Sequence, residues 1–455
     1  MDLNTMVMSK QGRLLACLQQ NLQIPSVKGP AEEGAPYGIH CRRSLDHALE
    51  AAAAMGFKTC NVDGHVGWCE YGEGEEMVAV LGHLDVVPAG DGWSFDPWGG
   101  QIQGDRIFGR GAMDDKGPTI ASLFALEAIR DLGLPLKRRI RVIFGCDEET
   151  GSHDVPYYLD HGGEVPVMGF TPDAEYPLIN GEKGIINAYC GRDFVQTGDL
   201  KLKYFQGGTA SNVVPNYAKA ELICNSDLAA RIAATTFEKV TFTVTDTGIL
   251  AEAAGENAHG STPWLGENAI GRLVLALNEL PFEGELAQVL AFLAEKLGMD
   301  TMGKAAGIHL HDEISGDLSF NWGVMKADEG HLDLVINYRY PVTFEYEDCA
   351  PVLEALFTSN GFTVRQIFKE KLYIPADSDL VKTLLKVYKE QTGIDGTPVC
   401  IGGGTYAKSL PNILAFGPIF PGDEVREHKP DEFMEIPKLM KNAQIIAAAM
   451  YEMAR

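Results

Sequence analysis

The sequence predicts an α/β protein in which a discontinuous domain with a mostly parallel sheet is interrupted by an inserted α+β domain. Three observations support this class. Apolar strand-like runs flank a helical pattern in the first part of the chain. Short strands of alternating polarity follow from about residue 187. After about residue 372 the pattern of helices and apolar strands returns. Because 455 residues exceed what one hydrophobic core usually holds, more than one domain is expected. The predicted domains are 1–186 with 373–455, and 187–372.

The first segment contains two helical patterns and three strand-like runs. Leucines recur at helical spacing between residues 14 and 22, and residues 44–55 show the same pattern. A helix is also predicted over 118–131, with Pro118 in its first turn and Gly133 at its stop. The predicted strands are 77–81, 139–144 and 167–170. Strand, helix and strand at this spacing indicate parallel strands with functional side chains at their carboxyl ends.

The inserted segment and the last segment differ in their predicted pattern of helices and strands. The inserted segment shows alternating strands at 217–223, 239–244 and 331–340 and a helix at 267–280. The last segment shows a helix at 379–391, a strand-turn-strand at 399–416 and a closing helix at 437–453. This change of pattern is the basis for the predicted insertion.

Composition excludes several classes of partner. The formal net charge of -25 disfavours nucleic acid and anionic membranes, which would be repelled. The first thirty residues lack the apolar core of a signal peptide, and no run of about eighteen apolar residues is present. The nine cysteines form no C-x-x-C pair. We therefore expect reduced thiols and a cytoplasmic location.

Polar side chains follow the predicted strands at one edge of the sheet. They occur in G-H-L-D-V-V-P, G-R-G-A-M-D-D-K-G-P, D-E-E-T-G-S, F-T-P-D-A-E and V-R-E-H-K-P-D-E, and are His83, Asp85, Asp114, Asp115, Glu148, Glu149, Asp173 and His428. Carboxylates gathered in this way repel one another unless cations neutralise them. Two divalent metals would do so, and zinc, manganese and cobalt accept these donors. Two ions about 3.5 to 4 Å apart require a bridging carboxylate.

Each motif also has a plainer interpretation. A single histidine on an apolar strand is usually structural, D-E-E is usually a solvated turn, and D-D-K-G can be a helix cap. The run I-G-G-G-T-Y is rich in glycine, as phosphate-binding loops are, but it lacks the residues of a P-loop or a dinucleotide fold. Taken together, these segments favour the metal site. From the residues alone, one carboxylate beside a histidine would orient it, and one outside the metal shell would serve as general base.

Four motifs resemble those of the M20 family of metallopeptidases: G-H-L-D-V-V-P, G-R-G-A-M-D-D-K-G-P, D-E-E-T-G-S and A-H-G-S-T-P. Within that family the chain looks most similar to the dipeptidase V (PepV-like) group of bacterial dipeptidases. The resemblance runs nearly end to end. It implies a zinc-peptidase-like catalytic α/β domain that holds two zinc ions, interrupted by a lid domain.

The resemblance also implies a role for each polar residue of the catalytic domain. His83 and Asp173 would bind one ion, Glu149 and His428 the other, and Asp114 would bridge them. Asp85 would orient His83, and Glu148 would be the general base that takes a proton from a metal-bound water. The peptide bond between Asp114 and Asp115 is expected to be cis.

The lid is expected to complete the site. By resemblance, His259 would stabilise the developing oxyanion, Arg339 would bind the free carboxylate of the substrate, and Asn212 would contact the tetrahedral intermediate. Without the resemblance, Arg339 would be taken for an ordinary strand residue. The turn at 402–406 would line the pocket with backbone amides, including those of Gly403, Gly404 and Thr405.

The resemblance narrows the substrate class as well. Relatives with aspartate at the position of Asp173 generally act on substrates with a free amine, whereas carboxypeptidase and deacylase relatives carry glutamate. The long lid implies that His259 acts within its own chain, so a monomeric dipeptidase is expected. Two alternatives stay open: an amidohydrolase of N-acyl amino acids, and a metal-binding module without catalysis. The presence of Glu148 and His259 disfavours the second.

Overall fold

The computed structural model describes residues 1–455, which form two compact units. The discontinuous unit comprises Met1–Gly181, Ile374–Val399 and Gly404–Arg455, and the inserted unit comprises Glu182–Tyr373 and Cys400–Gly403. The predicted α/β class with an interrupted parallel-sheet domain is confirmed. The glycine run that starts at Gly402 is itself divided between the units.

The first segment of the discontinuous unit alternates helices and strands. Its helices are α1 (Leu3–Ser9), α2 (Gln11–Leu22), α3 (Ile39–Ala54), α4 (Lys116–Asp131) and α5 (Asp154–Asp160). Its strands are β1 (Lys58–Val62), β2 (Val66–Tyr71), β3 (Met77–His83), β4 (Gln101–Gln103), β5 (Arg106–Phe108), β6 (Arg139–Gly145), β7 (Met168–Thr171), β8 (Ala174–Glu175) and β9 (Ile179–Glu182). The predicted strands and the helix α4 are present within two residues of their predicted bounds.

The inserted unit is richer in strands. Its strands are β10 (Gly184–Asp193), β11 (Gln196–Thr197), β12 (Lys201–Gly207), β13 (Tyr217–Ile223), β14 (Val240–Val244), β15 (Gly248–Ala254), β16 (His311–Asp312), β17 (Gly316–Asp317), β18 (Ser319–Ala327), β19 (His331–Tyr340), β20 (Thr363–Lys369) and β21 (Leu372–Tyr373). Its helices are α6 (Ser226–Ala233), α7 (Ala269–Asn278), α8 (Gly284–Lys296) and α9 (Ala350–Thr358). The sequence patterns had not indicated α8 or α9.

The chain then returns to the discontinuous unit. This last part contains α10 (Asp379–Thr392), β22 (Val399–Ile401), β23 (Ile413–Ala415), β24 (Pro418–Ile419), β25 (Phe433–Glu435) and α11 (Ile436–Ala454). The predicted strand-turn-strand includes a short 3-10 helix, Tyr406–Ser409, between β22 and β23.

The main sheet of the discontinuous unit is parallel at its centre. Its strands run in the order β1-β2-β6-β3-β7-β23-β9, with β6, β3, β7 and β23 mutually parallel and the outer pairs antiparallel. All seven residues of β3 are buried, which explains its continuous apolar run. Position 82 requires glycine, because a Cβ there would lie 2.0 Å from Thr119 Oγ1 of α4.

Helices α4 and α11 supply much of the core of this unit. Helix α4 is buried from Lys116 to Ile129, and α11 packs against it through residues such as Leu439 and Ile446. Pro118 lies in the first turn of α4, where a missing N–H costs no helical hydrogen bond. A rigid core of this kind holds the carboxyl ends of the central strands in fixed positions.

The inserted unit is built on an antiparallel sheet. Its strands run in the order β14-β15-β13-β12-β18-β19-β10-β20, and every neighbouring pair is antiparallel. Alternating burial along β13 and β15 marks the face covered by α7. Asn268 caps α7 by accepting hydrogen bonds from Ile270 and Gly271 N–H, so the helix begins two residues later than predicted.

Three further features bear on the predictions. The peptide bond between Asp114 and Asp115 is cis, as predicted. All nine cysteines are unpaired. None of the helices combines the length and apolar composition that a membrane crossing requires.

Candidate metal centre

The parallel strands end at one edge of the sheet, and three of them lead there into polar side chains. Strand β3 ends with His83, β6 leads into Glu148 and Glu149, and β7 leads into Asp173. Asp114 lies immediately before α4. Neighbouring parallel strands place their carboxyl ends together, so these residues meet although the sequence separates them widely.

Asp114 lies between two histidines and offers one carboxylate oxygen to each. Its Oδ1 is 3.0 Å from His83 Nε2, and its Oδ2 is 3.0 Å from His428 Nε2. Asp173 Oδ2 lies 3.8 Å from His83 Nε2, and Glu149 Oε2 lies 3.1 Å from His428 Nε2. The residues therefore form two groups of three that share Asp114, and one potential ligand atom from each member lies within 4.8 Å of the others.

Asp85 contacts His83 on one side and the backbone of Glu148 and Glu149 on the other. Its backbone carbonyl accepts a hydrogen bond from His83 Nδ1 at 3.0 Å, while its carboxylate lies 3.5 Å from the same nitrogen. The carboxylate oxygens accept hydrogen bonds from the backbone N–H groups of Glu148 and Glu149, both at 3.2 Å. Asp85 thus orients the His83 ring mainly through its carbonyl, and its carboxylate holds the Glu148–Glu149 turn.

The carboxylates of the cluster stabilise positive charge on the two histidines. Burial alone would lower the pKa of His83, but hydrogen bonds to Asp114, Asp173 and Asp85 raise it well above its ordinary value. Hydrogen bonds to Asp114 and Glu149 raise the pKa of His428 to about 11. Burial opposes ionisation of Asp114, yet the two histidines hold its pKa below its ordinary value. The carboxylates therefore favour cations at both positions.

Glu148 belongs to neither group of three. Burial, followed by the negative charge of Asp173, raises the pKa of Glu148 well above its ordinary value. Burial also raises the pKa of Asp173 to about 6. A carboxylate with a raised pKa beside a ligand cluster is typical of a general base.

The donors fit a pair of divalent ions. Each group combines one imidazole nitrogen with carboxylate oxygens, which are the donors that zinc, manganese and cobalt share. The two oxygens of Asp114 face opposite groups, as a carboxylate that bridges two ions must. The Nδ1–H of His83 donates a hydrogen bond to the Asp85 carbonyl, which directs the other ring nitrogen, Nε2, to the metal position.

Comparison with known proteins identifies the family of the chain. The model of peptidase family M20/M25/M40 matches residues 79–452. The chain belongs to this family. Curated relatives of this M20 chain include "Putative dipeptidase YtjP" of Bacillus subtilis, 38% identical with 99% of each chain covered. Another is "Beta-Ala-Xaa dipeptidase" of Lactobacillus delbrueckii subsp. lactis, 34% identical over 100% of this chain and 99% of the relative.

A solved structure shares the fold of this M20 protein. The structure of aminoacylhistidine dipeptidase from Vibrio alginolyticus superposes with a TM-score of 0.63 and 15% sequence identity, and the match covers 97% of each chain. At this identity the likeness concerns the fold alone. It supports a peptidase fold with a catalytic unit and an inserted unit.

The inserted unit of the M20 chain brings its predicted residues together. Arg339 is 3% exposed, and its guanidinium donates to Asn337 Oδ1 at 3.3 Å and to the carbonyl of Gly402 at 2.5 Å. These acceptors are neutral, so no carboxylate neutralises the buried cation. Partial burial and the charge of Arg339 lower the pKa of His259. A buried guanidinium without an acidic partner is suited to an anionic ligand.

The loop that carries Asn212 lies beside His259. The Gly260 N–H donates to the carbonyl of Asn212 at 2.7 Å, and Asn321 Nδ2 donates to the carbonyls of Ser211 and Val213. A Cβ on Gly402 would lie 2.7 Å from Ser261 Cβ. The inserted unit therefore holds Asn212, His259, Gly402 and Arg339 in one region. Of the other predicted turn residues, Gly403 belongs to this unit, whereas Gly404 and Thr405 belong to the discontinuous unit.

Sequence reasoning missed several buried residues that support the site. Asp154 Oδ2 accepts hydrogen bonds from the backbone N–H groups of Cys146 and Asp147 and from the Tyr406 hydroxyl. A Cβ on Gly145 would lie 1.9 Å from Tyr406 OH, so the close contact requires glycine. Tyr406 was within the predicted turn, but nothing in the sequence indicated Asp154 as its partner. These contacts fix the start of the D-E-E segment.

Proposed function

We propose that this protein is a dinuclear metal-dependent dipeptidase that hydrolyses the peptide bond of free dipeptides. The observation that carries the proposal is the position of Asp114, whose two oxygens face two different groups of potential ligands, with Glu148 outside both. The family membership supports peptide hydrolysis, and the names of two curated relatives support the dipeptide class.

His83 and Asp173 would hold one ion, Glu149 and His428 the other, and Asp114 both. Zinc is the proposed ion, and manganese or cobalt would suit the same donors. When bound, such a pair polarises the scissile carbonyl and lowers the pKa of water toward neutrality. Asp85 keeps Nε2 of His83 directed toward Asp114 through the bond to its carbonyl.

Glu148 is the proposed general base. It takes one proton from the attacking water, whose oxygen forms the new bond to the carbonyl carbon. It then passes this proton to the nitrogen of the leaving amino acid as the C–N bond breaks. The raised pKa of Glu148 suits this transfer, because a more basic carboxylate takes up the proton of the water more readily than an ordinary glutamate does.

The residues of the inserted unit would recognise the substrate. Arg339 would bind the C-terminal carboxylate, because its buried guanidinium has only neutral acceptors. His259 would donate to the developing oxyanion, and Asn212 would contact the same intermediate. The glycine-rich turn would offer backbone N–H groups to the substrate, from Gly403, Gly404 and Thr405.

Asp173 favours a free substrate amine, since relatives that act on a free amine generally carry aspartate at this position, whereas carboxypeptidase and deacylase relatives carry glutamate. Arg339 is further proposed to fix the length of the substrate, so that dipeptides are admitted and longer chains are excluded. The protein is further proposed to act as a cytoplasmic monomer.

The proposal is tested by hydrolysis of a matched panel with the zinc-loaded protein. The panel contains free dipeptides, the same dipeptides with an N-acetyl group, one tripeptide, and N-acetyl and N-succinyl amino acids. Cleavage of the free dipeptides alone, lost with a chelator and regained with zinc, is the expected result. The variant Glu148→Gln serves as the control for contaminating peptidases.

Other outcomes would contradict specific parts of the proposal. Cleavage of the acylated amino acids instead would assign an amidohydrolase at the same metal site. Equal cleavage of the tripeptide would remove the fixed-length role of Arg339. No hydrolysis of any substrate by a protein that binds two zinc ions would favour a binding module without catalysis.

A further inference from the structure

One fully buried carboxylate outside the proposed ligand set contacts the segment that carries Asp114. Glu432 is 0% exposed, and its Oε1 accepts hydrogen bonds from three backbone N–H groups: Gly111 at 3.0 Å, Met113 at 2.9 Å and Asp114 at 3.2 Å. Its Oε2 accepts a hydrogen bond from Arg110 Nη1 at 2.6 Å. Four donors therefore converge on one side chain.

Glu432 also connects segments that are distant in sequence. It lies four residues after His428, which adopts a positive φ of 59°. Arg110, which Glu432 anchors, donates from Nη2 to the carbonyl of Ala89, at the end of the segment that begins with His83. The backbone carbonyl of Glu432 accepts from the Gly109 N–H at 3.0 Å. Glu432 thus connects the segments that carry Asp114 and His428 directly, and the segment that carries His83 through Arg110.

An ordinary buried ion pair would lack this pattern. Glu127 in the same unit is similarly buried and pairs with Lys10, Arg13 and Arg130, but the partners of its carboxylate are side chains and not backbone N–H groups. Glu432 uses one oxygen for its ion pair and the other for three backbone amides of the loop that carries Asp114. The ion pair alone does not explain why this carboxylate faces the Asp114 backbone.

We propose that Glu432 is a positioning residue for the metal pair, an inference that rests on the proposed function. By fixing the backbone N–H of Asp114, it sets the direction in which the Asp114 carboxylate leaves the chain. By its own place in the chain, it fixes the distance from that carboxylate to His428. Groups that orient metal ligands in this way commonly change metal affinity by about 10- to 100-fold when they are replaced.

The test is the zinc affinity of Glu432→Gln, which preserves size but puts an amide group where donors converge. Equilibrium dialysis against buffered zinc would give the two dissociation constants of the wild-type chain. The step that disappears in His428→Ala identifies the ion held by His428. In Glu432→Gln that step is expected to weaken by about 10- to 100-fold. Glu127→Gln is the matched control, with wild-type zinc affinities expected.

The outcomes separate this inference from the proposed function. If the wild-type chain binds no zinc pair, the proposed function fails. If the wild-type chain binds two ions and Glu432→Gln binds both with unchanged affinity, the positioning role is wrong, even where the variant is less stable. Should Glu432→Gln not fold, Glu432→Asp tests the same contacts, because aspartate retains the charge but its shorter side chain withdraws the carboxylate from the three amides. At least threefold weaker binding at the His428 step supports the inference, and unchanged binding overturns it.

Discussion

Replacing Tyr406 with phenylalanine would remove one hydrogen-bond donor from a fully buried carboxylate and leave the aromatic packing in place. The Tyr406 hydroxyl donates to Asp154 Oδ2 at 2.5 Å, and both residues are fully buried. The same oxygen accepts from the N–H groups of Cys146 at 2.6 Å and Asp147 at 3.1 Å. The change therefore removes one of three donors from an oxygen that holds the D-E-E segment.

The expected cost follows from the charge of Asp154. A hydrogen bond to a charged group contributes about 1.5 to 3 kcal/mol, and one between neutral groups about 0.5 to 1.5 kcal/mol. Burial raises the pKa of Asp154 to about 6, although the bond from Tyr406 lowers it. Tyr406→Phe should lower the free energy of unfolding by about 1.5 to 3 kcal/mol at pH 8, where Asp154 is ionised, and by less at pH 5.

The sign of the pH dependence follows from linkage. The folded-state pKa of Asp154, about 6, lies above its ordinary value of 3.8, so the folded state binds this proton more tightly. The stability contributed by protonation is fully present below about pH 4 and is lost as the pH rises through 6. Removing the Tyr406 bond raises the pKa of Asp154 further, so the variant loses more stability at high pH than at low pH.

Urea denaturation of the metal-free protein at pH 5 and pH 8, followed by circular dichroism, measures the effect. The matched control is Tyr176→Phe, because Tyr176 is buried in the same unit but its hydroxyl has no hydrogen-bond partner. That change should leave stability unchanged or slightly increased. Equal losses for Tyr406→Phe at both pH values, or a loss no larger than that of Tyr176→Phe, would refute the reasoning.

Three further predictions concern the proposed chemistry. Glu148→Gln should lower kcat by about 10²- to 10⁴-fold with both zinc ions retained; loss of zinc in this variant would make Glu148 a ligand instead. Arg339→Lys should raise the KM for dipeptides by about 10- to 100-fold, from one lost charge-assisted hydrogen bond, and affect kcat less; an unchanged KM would remove the carboxylate contact. His259→Ala should lower kcat by about 10²- to 10³-fold. Mixing the His259→Ala and Glu148→Ala chains should restore no activity. Restored activity in the mixture would show that His259 acts across subunits.

The sequence predicted the parts of the fold whose signal is local. The apolar run of β3 and the helix pattern of α4 depend on neighbouring residues and were recognisable directly. Helices α8 and α9 were missed even though their apolar residues form part of the core of the inserted unit. The strand order of that unit, in which β12 pairs with β18, depends on contacts over more than one hundred residues, which no local pattern encodes.

The candidate ligands could be selected from sequence because five motifs follow strand ends or loops with an unusual density of acids and histidines. Supporting residues carry no such signal. Glu432 is one of several acids in V-R-E-H-K-P-D-E, and its importance depends on amides more than three hundred positions away. The carboxylate of Asp85, expected to orient His83, mainly holds the backbone of Glu148 and Glu149. Such roles are set by backbone geometry that only the folded chain shows.

The most direct test of the shared ligand Asp114 is a crystal structure of the zinc-loaded protein with anomalous data collected at the zinc edge. We predict two zinc peaks about 3.5 to 4 Å apart, one beside His83 and Asp173, the other beside Glu149 and His428, with an oxygen of Asp114 bound to each. A single peak, or two peaks that do not share Asp114, would contradict the dinuclear centre on which the proposed function depends.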